Sequence, residues 1–373
     1  MRLYCIRDKF PHYFFARSPK TEDGSTSVFG LRTSSLLFNY ATIYLVFSIV
    51  LSLFIFGCEN NHSEVDTSAI QLNLKVNRFE QKLFSYPKIT DTEVLELKKK
   101  YNPFFTHFIE NIISISDVND PSVYYYLNGF KSDAYVLEVQ KKVDSVFADF
   151  SVHQQQLTES FKLYQHYFPE KNIPEIITFI SGFNYAVVTD TAYLGIGLDM
   201  FLGNDYKAYS QLGLPQYKIA NMTKEHLVTS AVLAWISTEF ELNESNADLL
   251  TEMVHQGKLL YILDKLTPYE EEYIKMGYTK EQLKWCENNE KQVWFYFVDN
   301  ELFYTKETKE IIKFMGEAPF VQGFPEGSPG KVGQWVGLQI VIAFMENNTK
   351  ATLQDLVNEK DAQKILNQSK YKP

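Results

Sequence analysis

The stretch that decides the fold is Ile173–Gly203, IPEIITFISGFNYAVVTDTAYLGIGLDMFLG. Ile176, Ile177, Phe179 and Ile180 form a short apolar run closed by Ser181-Gly182, which predicts a buried strand ending in a turn. Ala186-Val187-Val188 predicts a second strand and Tyr193–Met200 a third, together a small meander. Gly195 and Gly197 alternate within the third strand. Side chains two apart share one face of a strand, so this face is suited to close approach by another backbone or by a ligand.

On both sides of this stretch the pattern is mostly helical. Upstream, Leu157, Phe161 and Tyr164 mark a helix over Gln154–Tyr167, and Val136, Val139, Val143 and Phe147 mark another over Ala134–Phe150. Before Pro103, Asp91 or Thr92 can cap a helix through Lys100 with Val94, Leu95 and Leu97 on its apolar side. After it, Phe104, Phe105, Phe108, Ile109, Ile112 and Ile113 recur at helical spacing. Ile70, Leu72, Leu74 and Val76 alternate with polar residues, as in a half-buried strand. Downstream, helices are expected over His226–Ile236, Ala247–Leu266, Thr279–Phe297, Lys306–Met315 and Val332–Glu346. A strand, several helices, a small sheet and more helices make an α+β fold. No internal repeat or low-complexity linker divides it, so residues 68–373 read as a single, mostly helical domain.

The N-terminal part has a different character. Leu36–Cys58, LLFNYATIYLVFSIVLSLFIFGC, carries no charge between Arg32 and Glu59. It is long enough to enter a bilayer and, on length alone, to cross it. Its end resembles the lipobox of bacterial lipoprotein signal peptides, with aliphatic Ile55, small Gly57 and then Cys58; Phe56 departs from the usual small or moderate residue. The resemblance implies that the Cys58 thiol is alkylated with diacylglycerol, the chain cut before it and the new amine acylated. An ordinary signal peptide and an uncleaved anchor are the other readings. All three keep Arg2, Arg7, Lys9, Arg17, Lys20 and Arg32 in the cytoplasm and export the body. The expected organisation is residues 1–57 as n-region and signal peptide, 58–67 as lipidated tether and 68–373 as the globular domain.

Cleavage before Cys58 removes 57 of 373 residues and leaves 316, enough for a large core. The leader holds six Lys+Arg and three Asp+Glu of totals of 36 and 46, so 30 basic and 43 acidic groups remain, a formal charge of −13. Such a surface is unsuited to nucleic acid or anionic lipid. Membrane attachment is therefore expected through lipid on Cys58, each buried methylene contributing about 0.8 kcal/mol. Beyond Cys58 the only cysteine is Cys286, so no intrachain disulfide forms there. Following Trp285 in an amphipathic run, Cys286 reads as a buried apolar residue rather than a nucleophile.

Known catalytic patterns are not met. None of the seven histidines is followed by Glu and no two are four apart, which excludes H-E-x-x-H. Glu252 and His255, three apart on a helix, share a face, but a di-iron bundle needs two such pairs. With His226 they make a candidate pocket, against the reading of a solvated helix edge. Gly327-Ser328-Pro329-Gly330-Lys331 fits neither a phosphate loop nor a serine elbow, because Pro325, Glu326 and Val332 stand at the defining positions. It reads as a turn into the last long helix. Within Gly323–Lys331, the side chains of Phe324, Glu326 and Lys331 are expected on a surface loop fixed by Gly and Pro, a candidate interaction site. No catalytic residue, metal ligand or cofactor is expected. Clusters such as Tyr124-Tyr125-Tyr126 and Trp294-Phe295-Tyr296-Phe297 read as core rather than glycan platforms.

Longer blocks carry a family resemblance. VNRFEQKLF (Val76–Phe84), YFPE with the stretch quoted first, MVHQGKLLYILDKLTP (Met253–Pro268), MGYTKEQLKWCENNEKQVW (Met276–Trp294) and APFVQGFPEGSPGKVGQWVGLQIV (Ala318–Val341) resemble the gliding-motility lipoprotein GldB family. The likeness covers nearly all of the chain after Cys58. It implies an outer-envelope lipoprotein required for the gliding and type IX secretion machinery of Bacteroidetes, partnered by other envelope proteins, with no known enzymatic activity. The periplasmic face of the outer membrane is the expected location. A fold-level resemblance to predicted zincin-type peptidases implies a degenerate relative, since the helix after the sheet reads HLVTSAVLAWI (His226–Ile236) without a second His or a catalytic Glu. A divergent metallopeptidase using Glu252, His255 and His226, or a pseudo-peptidase that binds an envelope peptide, is the alternative.

Overall fold

A computed structural model describes residues 2–5, 65–242, 246–325 and 327–373. The apolar run Leu36–Cys58, its cysteine and most of the tether lie outside them, as does Glu326. Five strands form one mixed sheet: β1 Arg2–Cys5, β2 Val76–Arg78, β3 Glu175–Phe179, β4 Tyr185–Thr189 and β5 Tyr193–Gly197, in the order β1-β4-β5-β3-β2. β2, β3 and β5 run parallel as neighbours, while β4 pairs antiparallel with β5 and β1 antiparallel with β4.

The fold is α+β, as expected, but the three central strands are not a meander. β3 lies beside β5, with Ile177 opposite Gly195, and β4 lies beyond β5. The turn explains the displacement: Gly182 and Phe183 both take left-handed backbone (φ 70° and 66°), carrying the chain past the position a tight hairpin would occupy. The two glycines of β5 meet different neighbours. A Cβ on Gly195 would lie 2.5 Å from Val188 Cγ2 and 3.1 Å from the Phe179 ring, and one on Gly197 would collide with the Tyr185 carbonyl. Their close approach is thus to β4 and to the core.

Among the described residues six helices come before β3: α1 Phe79–Ser85, α2 Asp91–Tyr101, α3 Phe104–His107, α4 Val123–Ser132, α5 Ala134–Val146 and α6 Ser151–Tyr167; a π-helical segment, Phe108–Ile112, continues α3. The cap of α2 is Thr90, one residue before the expected position. Its hydroxyl accepts from the Thr92 N–H, and its own N–H donates to Glu93 at 2.7 Å. Leu95, expected inside, is 66% exposed, while Val94 and Leu97 are buried. Ile70, Leu72, Leu74 and Val76 do face inward in alternation, but only Val76–Arg78 reaches a neighbouring strand and forms a ladder. One face of the sheet, with Ile177, Phe179, Val188 and Tyr193, meets α1–α4 in an aromatic core. Phe79 packs edge-on against Tyr101, Phe104 and Phe108, at centroid distances of 5.1, 5.1 and 4.8 Å.

The helices after the sheet are α7 Lys207–Gln211, α8 Gln216–Ile219, α9 Leu227–Glu239, α10 Leu249–Leu266, α11 Glu272–Met276, α12 Lys280–Asn288, α13 Glu290–Asp299, α14 Thr308–Met315, α15 Val332–Asn347, α16 Leu353–Asn358 and α17 Ala362–Ser369. The expected single helix over Thr279–Phe297 is broken at Asn289, whose side-chain amide donates to the Trp285 carbonyl at 2.8 Å. α9 lies against β4, β5 and α6, and α10 packs on α9, α6 and α15. α9, α10 and α15 bury residues around most of their circumference, as central helices must. Gly257 of α10 and Gly337 of α15 meet where these two cross. A Cβ on Gly257 would strike the Gly337 carbonyl, and one on Gly337 the Met253 carbonyl. Thr67–Pro373 falls within a single compact unit.

Candidate functional site

The sheet, α9, α11 and the start of α15 enclose a cleft of about 190 Å³, whose wall includes Ala186 of β4, Lys218 and Asn221, His226, Glu317, and Lys331 with Gln334. Several residues of the wall are placed by local devices. Gly277 caps α11 in left-handed backbone (φ 63°), and Asn221 donates to its carbonyl at 2.8 Å. Lys331, itself left-handed (φ 55°), sits at the N-cap of α15 and donates its Nζ to the Met276 carbonyl at 3.1 Å. The preceding Gly330 is held by the buried Tyr278 hydroxyl, which donates to its carbonyl at 2.8 Å. Thr223 Oγ1 lies 3.0 Å from His226 Nδ1 just ahead of α9.

Charge is distributed unevenly in this cleft. Lys275 pairs at 2.7 Å with Asp264. Lys218 and Lys331 both face Glu317, at 3.9 Å from one carboxylate oxygen and 3.7 Å from the other. The lysine side chains are only 7% and 16% exposed, whereas that of Glu317 is 50% exposed. His226 is buried, with Nε2 lacking a hydrogen-bond partner among the described residues. Burial holds its imidazole below the ordinary histidine value; Glu225 opposes that effect and Lys331 adds to it.

The expected trio of Glu252, His255 and His226 is divided. Glu252 stands in the first turn of α10, and it is His255, one turn further, that lines a second cavity of about 350 Å³ together with Lys258 and Lys360. His226 belongs to the first cleft. Burial lowers the His255 imidazole to about 4, helped by Lys258 and Lys360. Lys258 is lowered to about 8, mainly by burial, and donates to the Glu359 carbonyl at 2.5 Å. Among the described residues no three His, Cys, Asp or Glu side chains are grouped so as to hold a metal ion. Cys286 is buried and its thiol is pushed up to about 12 by that burial, so it behaves as an apolar side chain.

The expected interaction loop is more firmly held than its sequence implies. Phe324 stacks on Trp285 (6.2 Å between centroids) and lies edge-on to Tyr296 at 4.8 Å. Lys331 points into the cleft rather than away from the body. Ser328 is buried, its Oγ accepting from the Val321 N–H at 3.2 Å. Of this loop's side chains it is Phe324 that is drawn into an aromatic cluster. Lys218, Asn221 and Glu317 were not legible as site residues. No spacing rule joins positions at the end of α8 to one just after α14.

The family model described as gliding motility protein GldB matches residues 60–373. No curated protein and no solved structure matches the chain. No helix among the described residues is long and apolar enough to cross a membrane.

Proposed function

The chain belongs to the gliding motility protein GldB family, and on that premise we propose that it is a lipid-anchored, non-enzymatic component of the gliding and type IX secretion machinery. The family assignment suggests a role in gliding motility. What carries the finer reading is where the match begins: residue 60, two positions after the cysteine of the lipobox-like sequence, continuing to the last residue. A body that starts directly behind a lipid-bearing cysteine needs no helix of its own to stay at a membrane. Cleavage before Cys58 removes β1 with the leader, and the sheet of the mature body is then β4-β5-β3-β2. The cleft supports a binding role, since its lysines are all held by acids, Lys275 by Asp264 and Lys218 and Lys331 by Glu317, while, among the described residues, His226 Nε2 stays unengaged in its wall.

The test is made in cells fed radiolabelled palmitate. Wild type is labelled and migrates as a shortened chain, and crosslinking in the intact envelope captures motility proteins. Cys58→Ala abolishes both the label and the shortening, and fails to restore colony spreading. Fatty-acid incorporation into Cys58→Ala, or full spreading without a lipid, would overturn the anchor.

A further inference from the structure

Resting on this binding role, we propose that the cleft beside α9 is a receptor for a carboxylate group on the partner, which takes the place of Glu317 between Lys218 and Lys331. Three observations converge on it. Glu317 bridges the lysines at 3.9 and 3.7 Å, outside the 2.7–3.2 Å range of a formed hydrogen bond. The two ammonium groups sit on nearly buried side chains, whereas their carboxylate is half exposed at the mouth of the cleft and free to swing out. Desolvated cations interact more strongly with a close anion than with a distant one, so an incoming carboxylate at hydrogen-bond range competes favourably with Glu317. His226 Nε2 lies in the same wall, buried and without a partner among the described residues, a polar atom whose desolvation is offset when a ligand enters.

The chemistry of the ligand follows from the shape. Glu317 already shows how a planar carboxylate spans the two lysines, one oxygen to each. The first turn of α15, a 16-residue helix, contributes Lys331 and Gln334, and its macrodipole favours negative charge there. A cavity of about 190 Å³ accommodates an acid of a few carbons, the size of a glutamate or aspartate side chain. The same group could reach the cleft on a protein partner or as a free small acid, so both are tested.

The experiment is titration calorimetry on the purified full-length protein, with glutarate in one arm and acetyl-Ala-Glu-Ala-amide in the other. Glu317→Gln removes the internal competitor at a half-exposed position and should tighten binding several-fold. Lys218→Met and Lys331→Gln should each weaken it about tenfold, the usual effect of losing one hydrogen bond to a charged group. In histidine-labelled protein the His226 ring resonances should move on binding, while those of His255, in the other cavity, stay in place. Binding of the peptide alone assigns the group to a protein partner, and binding of both assigns it to carboxylates generally; either supports the site. The proposal is overturned if neither probe binds Glu317→Gln, or if the lysine variants melt normally and bind as wild type does. Should a lysine variant fail to fold, the Glu317→Gln affinity and the His226 resonances decide the matter. Failure here leaves the palmitate and crosslinking results standing, so the two readings fall separately.

Discussion

Asp199 shows how a single side chain can set the geometry of this sheet. It is fully buried just after β5, and one of its oxygens accepts from Phe183 N–H at 2.7 Å and Ser181 N–H at 3.1 Å. Those bonds hold the left-handed turn that carries β4 past β5. The cost is a carboxylate without water: burial raises its pKa to about 6 from 3.8, the backbone donors only partly opposing the shift. Between about pH 4 and pH 6 the folded protein therefore keeps a proton that the unfolded chain has released. Stability falls as pH rises through that window and is level above it. Asp199→Asn keeps an oxygen for the turn but cannot ionise. It should erase this part of the pH dependence and leave the protein more stable at pH 8, by no more than about 3 kcal/mol. Denaturant unfolding at pH 4 and pH 8 measures it; an unchanged slope relative to wild type would refute the assignment. Residues of this kind were not legible beforehand. Asp199 follows a glycine-rich strand, and nothing in its neighbours reveals that it bonds back across 16 to 18 positions.

At the scale of elements, the sequence was most informative where burial is periodic. The helix over Ala134–Val146 lies close to where its one-sided apolar spacing put it, and those over Leu249–Leu266 and Val332–Asn347, apolar around most of their circumference, lie where long apolar stretches put them. Strand order was not legible, since local alternation says nothing about which strand is the neighbour. Gly257 and Gly337 were opaque for a related reason. Within a helix, glycine reads as a weak position, costing about 1 kcal/mol relative to alanine. Here each admits the backbone of the other helix. Gly337→Ala, which by propensity alone would stabilise α15, should instead lower stability by about 1–3 kcal/mol or more, because a methyl group has to push two packed helices apart. Chemical denaturation distinguishes the two signs, and Gly129→Ala, where a Cβ meets nothing within 4 Å, is the control on another helix.

Across the whole molecule, Arg78 ties the layers together. From the end of β2 its Nε reaches Glu80 at 2.6 Å, another guanidinium nitrogen donates to the Phe147 carbonyl at 3.1 Å after α5, and its charge lies over Phe150. Glu80 in turn accepts from Thr178 Oγ1 of β3 at 2.7 Å. Burial raises the Glu80 pKa, with Arg78 as the main opposing influence. Removing the arginine leaves a buried, uncompensated acid, at a cost of about 3–5 kcal/mol. The body from Thr67 onward is expected to unfold in one calorimetric transition, and Arg78→Ala should move that transition as a whole. Splitting into two peaks would mean that the helical layer before β3 and the helices after β5 are separately stable. Arg78→Met combined with Glu80→Leu should recover part of the loss, because no charge is then stranded.

The position of β3 beside β2 also orders events in time. Thr178 and Glu80 are 98 residues apart, and Phe79, Phe104 and Phe108 close their core only against a sheet whose middle strands are made later. A polypeptide emerging from its N-terminal side therefore presents this aromatic layer uncovered until β3 and β5 have followed. Loop closure over such separations is slow relative to helix formation. The growing chain spends that interval as a set of formed helices with no partner surface, and it is in that interval, rather than in the finished protein, that it is most exposed to aggregation and most in need of a holding chaperone.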